Sequence, residues 1–118
     1  MDDSERRRVC ELVAGLLLSD GELHPREAGF LHRVLGHFGM PEDTSVKPVI
    51  DRHAAVASLR ALDTEDQQET LQLLIDAAAA DGQIAPAERI FLGALASELS
   101  VAEADLDSRL RRALEPKN

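Results

Sequence analysis

The sequence predicts an all-α domain. Three observations carry that prediction: apolar residues recur at helical spacing along nearly the whole chain, no segment of four or more residues alternates cleanly in the strand pattern, and one helix–turn–helix stretch occurs twice. Val9, Leu12, Val13, Leu16 and Leu17 stand at i, i+3, i+4, i+7 and i+8, which puts one apolar stripe on a helix from about 4 to 19. Asp2, Asp3 or Ser4 can cap it. The next helix carries Phe30, Leu31, Val34, Leu35 and Phe38 toward the core. The segment 54–62, "AAVASLRAL", supplies a further apolar helix, and Pro48 interrupts or starts one nearby. The pattern leaves the number of helices in 41–62 open. Thr64-x-x-Gln67 and Ser100-x-x-Glu103 have capping-box spacing and predict two more helix starts. Between them Phe91, Leu92, Leu95, Ala96 and Leu99 form another core stripe.

The repeated stretch is "SDGELHPREAGFLHRVLGHFGM" at 19–40 and "ADGQIAPAERIFLGALASELSV" at 80–101, an offset of 61 positions. Six of twelve positions from Asp20 to Leu31 are identical to their mates, and Leu23 against Ile84 preserves an apolar one. The second capping box has a counterpart in Gly39-x-x-Glu42, so each unit reads as helix, Asp-Gly turn, helix, short break, helix, over about 4–52 and 65–114. Two such units in one domain predict a pseudo-two-fold arrangement, each covering the apolar face of the other. A stacked solenoid needs about three or more repeats.

At 118 residues the chain reads as one domain, 1–118, large enough for its own core. Cys10 is the only cysteine and falls in the apolar stripe of the first helix, where a small core residue is expected rather than a reactive thiol. Twenty-two acidic against thirteen basic side chains give a net charge of -9, which repels nucleic acid and anionic lipid and favours cations or basic partners. There is no Trp or Tyr and three Phe, so no aromatic platform for stacking bases is present. No apolar run is long enough to insert into a membrane, and "MDDSERRR" lacks the apolar core of a signal peptide, so a cytoplasmic protein is expected.

Two readings fit the repeated turn. In the first it is architecture. Gly21 and Gly82 take the left-handed position past a helix end, and Pro25 and Pro86 open the next helix. Glu27 and Glu88 then lie at its third position, where a carboxylate meets free N–H groups and the positive helix end, worth about 0.3–1 kcal/mol. Leu23 and Ile84 plug the linker into the core. That account leaves Asp20 and Asp81 unexplained, since an anion at a helix C-terminus opposes the dipole. In the second reading the acids serve a cation. Asp20, Gly21, Leu23 and Glu27 match the back half of an EF-hand loop, but the positions of its first two acids fall on Leu16 and Leu18, and on Ala77 and Ala79 in the second unit. A standard EF-hand is therefore excluded. What survives is a weak, open divalent site for calcium or magnesium at Asp20 and Glu27 or at Asp81 and Glu88, with water filling the ~6–8 oxygen positions calcium prefers. The units are not chemically equivalent: Asp76 corresponds to Gly15, and Glu22 to Gln83.

These stretches, "LSDGELHPREAGFLHRVLG" and "AAADGQIAPAERIFLGALA", resemble the TerB family of tellurite-resistance proteins and the related domain of certain membrane-anchored DnaJ-like co-chaperones, over about 5–112. The resemblance implies a compact bundle of roughly seven helices in two similar halves, with an acidic surface that binds divalent cations. It also implies a non-catalytic role in bacterial stress response, beside membrane-associated protein partners. The family's acids fall on Asp20, Glu27, Asp81 and Glu88.

No enzyme chemistry is expected. His24, His32, His37 and His53 have no catalytic or metal-binding spacing, and phosphate loops, nucleophile elbows and dinucleotide glycines are missing. The basic clusters Arg6-Arg7-Arg8 and Arg109, Arg111, Arg112 read as solvated helix faces. The function expected is thus a cation-responsive interaction module with a protein partner; the alternative is a structural helical adaptor whose turn acids only cap helices.

Overall fold

Five of the six described helices begin at a capping carboxylate or at a proline. The computed structural model describes residues 2–19, 25–40, 48–49, 51–80 and 82–115, and the side chains of Arg26 and Glu27 are not among those described. Helix α1, Asp3–Leu17, is capped by Asp2, whose carboxylate accepts the Glu5 N–H at 2.8 Å while Glu5 accepts the Asp2 N–H at 3.3 Å. This reciprocal pair satisfies two of the helix's free N–H groups. Helix α2 is Pro25–His37, and α3, Arg52–Arg60, is capped by Asp51. Helix α4, Thr64–Ala78, is capped by Asp63, which accepts the Asp66 N–H at 2.9 Å. Helix α5 is Pro86–Glu98, and α6 is Glu103–Leu114. Among the described residues all regular structure is helical, in six helices rather than about seven. The third helix expected from Gly39-x-x-Glu42, running to about 52, falls in part on 41–47 and 50, outside the described residues; 48, 49 and 51 are not helical.

Two expected caps sit elsewhere. Asp63, not Thr64, starts α4, because its carboxylate reaches the third N–H and leaves Thr64 as the first helical residue; Gln67 instead donates its side-chain amide to the Leu62 carbonyl at 3.1 Å. Ser100 does not cap α6. It takes a left-handed φ of 60° to close α5, and α6 starts from Ala102 with no side-chain cap. Gly39, 61 positions earlier, has φ 69° and closes α2 with the same bonds. Met40 N–H donates to Leu35 O at 2.9 Å, and Val101 N–H to Ala96 O at 2.9 Å. Both are the left-handed helix stop with its long-range closing bond.

Helix α1 packs on α2, α3, α4 and α5, and α4 touches every other described helix, so these two form the centre. The Cα radius of gyration is 13.2 Å, against about 13.5 Å for a compact chain of this length. Leu12, Leu16, Leu71, Leu74, Ile75 and Leu92 are among the large core side chains that are fully buried. A second cluster joins Cys10, Val34 and Leu35 beneath Met40, whose sulfur lies 3.7 Å from the Cys10 thiol. Cys10 is thus the small core residue its spacing predicts.

The two repeated helices are not equally covered. Helix α5 packs on α1, α3, α4 and α6, whereas α2 packs on α1 and α4 among the described helices. Phe91 and Leu92 are accordingly buried, while their mates Phe30 and Leu31 are half-buried.

Candidate functional site

From Gly82 onward the second repeated turn has the local geometry that its sequence predicts. Gly82 has φ 86°, open to glycine and strained for other residues, and its N–H donates to Ala79 O at 3.0 Å. Ile84 packs against the core. Pro86 is the first residue of α5, so Glu88 stands at the third position. Its Oε1 accepts the Ala85 N–H at 2.9 Å, and the side chain is only 2% exposed. A carboxylate that reaches back to the N-cap N–H at a positive helix end satisfies a group the helix itself leaves free.

Of the four candidate ligands, Glu88 is the one whose side chain lies among those described. Asp20 and Asp81 fall outside the described residues; Glu27 holds the matching third position of α2, with its side chain undescribed. Among the described residues no three His, Cys, Asp or Glu side chains gather where they could share a metal ion.

Several arginines form ion pairs within the fold. Arg6 lies 3.5 Å from Asp3, and Arg109 lies 3.3 Å from Asp105 one turn away. Arg89 ties α5 to α6, 2.7 Å from Asp107 and 3.5 Å from Glu103. Arg60 of α3 pairs with Glu98 at the end of α5. Exposed pairs of this kind contribute about 0–1 kcal/mol each, so they set orientation more than stability.

The feature that sequence reasoning missed is a cleft of about 330 Å³ where α2 and α4 meet over α1. Val9, Phe38 and Leu73 give it apolar walls; His37, Glu69 and Asp76 give it polar ones. Gln72 donates to Asp76 at 3.1 Å. Thr70 also lines the cleft, 1% exposed, with a hydroxyl that has no hydrogen-bond partner among the described residues. One signal for it was present in the sequence: Thr70 places a hydroxyl in the buried stripe of α4 where its repeat mate is the apolar Val9.

No family model, curated protein or solved structure matches this chain. The TerB resemblance rests on the twice-repeated turn.

Proposed function

We propose that this chain is a non-catalytic, acidic helical interaction module, made of two pseudo-symmetric helical units whose turn glutamates cap the helices that follow. The observation that carries the capping role is Glu88, buried at the third position of α5 with one oxygen on the Ala85 N–H. A carboxylate held there is placed to stabilise a helix start and is poorly exposed for open, water-filled coordination.

The two-unit construction is supported by correspondences at the same offset of 61. Helices α1 and α4 both have 15 residues and start 61 apart; α2 and α5 both have 13 and start 61 apart. The caps Asp2 and Asp63 are mates, as are the left-handed stops Gly39 and Ser100. The contact of α1 with α5 has its mate in that of α4 with α2, as a two-fold exchange of units requires. Around this frame the charge is strongly acidic, at -9, which favours a basic partner.

The competing reading places a calcium or magnesium ion at Asp20 and Glu27, or at Asp81 and Glu88. Thermal unfolding of metal-free protein titrated with calcium, magnesium, manganese and zinc separates the two. The capping role predicts no saturable rise in Tm. It also predicts that Glu88→Ala costs about 0.5–2 kcal/mol by removing the acceptor of the part-buried Ala85 N–H, and that Glu88→Gln, which keeps an acceptor, costs less. A saturable rise that both variants lose would establish an ion bound to the native state and overturn the capping role.

A further inference from the structure

We infer that the cleft between α2 and α4 is the docking site for a basic, amphipathic helix of a partner protein, seated as α3 is seated on the equivalent face of this molecule. The inference rests on the two-unit reading given above. Exchanging the units carries α1 to α4, α4 to α1 and α5 to α2. Helix α3 lies against α1, α4 and α5, so its mate position lies against α4, α1 and α2. Those three helices line the cleft, and no described helix fills it.

The residues agree with the elements. Glu98, which takes Arg60 of α3, has His37 as its mate, and His37 lines the cleft. The cleft even contains one such pair within itself, Val9 and Thr70, as expected where the two central helices cross.

Helix α3 therefore shows what shape fits such a face. It buries Ala55 and Leu59, one turn apart, and Leu62 follows at the next turn. Small and branched apolar side chains at that spacing are how a helix enters a groove. The charge decides the rest of the occupant's chemistry. Glu69 stands where the other face has Arg8, and Asp76 where it has Gly15, so the open face is the more acidic of the two. An arginine or lysine on the rim of the docking helix would meet these carboxylates.

The probe is a synthetic peptide with the sequence of residues 52–62, which carries the Ala55, Leu59 and Leu62 face, two arginines and no acid. It is titrated into the full ¹⁵N-labelled chain while amide shifts are followed. The expected result is saturable shifts at His37, Phe38, Thr70 and Leu73 with a Kd below about 1 mM. Glu69→Lys combined with Asp76→Lys, both exposed positions, should weaken binding at least about tenfold while leaving the spectrum folded. No saturable shift, or shifts confined to α1 and α5 where the peptide replaces native α3, would overturn the proposal. So would a dimer of the chain alone, seen by sedimentation, whose contact covers the same amides. Amide dipolar couplings on the same sample report the two-unit geometry separately, so a failed groove is distinguishable from a failed repeat.

Discussion

Gly15 is held to glycine by its neighbour across the chain. A Cβ there would stand 2.0 Å from the Val49 carbonyl oxygen and 2.7 Å from its carbon, both backbone atoms. Gly15→Ala should therefore destabilise by about 1–3 kcal/mol through forced displacement of this segment. Gly36→Ala, in a helix with open space around it, should stabilise by roughly 0.5–1 kcal/mol, and urea midpoints of the two variants should move in opposite directions. Cys10 gives a pH signature. Burial, with the Glu11 charge beside it, pushes its thiol from 9.0 up to about 11. Below pH 9 both folded and unfolded chains keep the proton. Between about 9 and 11 the unfolded chain releases a proton that the folded one retains, so stability falls as pH rises through that window, by up to about 3 kcal/mol. Urea unfolding on either side of the window should show this fall in the native chain and a smaller one in Cys10→Ala.

Helix ends show which local signals the sequence carries clearly. Asp2, Gly82 and Pro86 do what their types predict, because each acts through its own backbone or the next three N–H groups. Thr64 and Ser100 did not, since two polar residues compete for one cap at 63–64, and since the stop of α5 claims Ser100 before α6 can use it. That use of Ser100 has a cost. A non-glycine residue in the left-handed region is disfavoured by about 1–2 kcal/mol, so Ser100→Gly should stabilise by roughly 1 kcal/mol. Gly39→Ala, at the mate position, should destabilise by a similar amount. Melting temperatures of the two variants test whether one stop motif is used twice.

At the scale of the molecule, the helical class and the stripes of Val9–Leu17, Val34–Leu35 and Phe91–Ala96 were legible because periodicity records which face of a helix is buried. What periodicity does not record is which neighbour does the burying. Phe30 and Phe91 are identical in the sequence, and they differ in exposure because α3 and α6 cover α5 and not α2. The cleft follows from that asymmetry, and of its residues only Thr70 departed from the pattern in a readable way. The repeat was legible as spacing; its geometry depends on tertiary packing. The most direct test of the two-unit account is a set of amide residual dipolar couplings for residues 3–17, 25–37, 64–78 and 86–98. The account predicts that the angle between α1 and α2 equals that between α4 and α5, and that one half-turn carries the first pair onto the second. If no single rotation relates the pairs, the units are not equivalent, and the assignment of the α2–α4 cleft as the open counterpart of the α3 face falls with them.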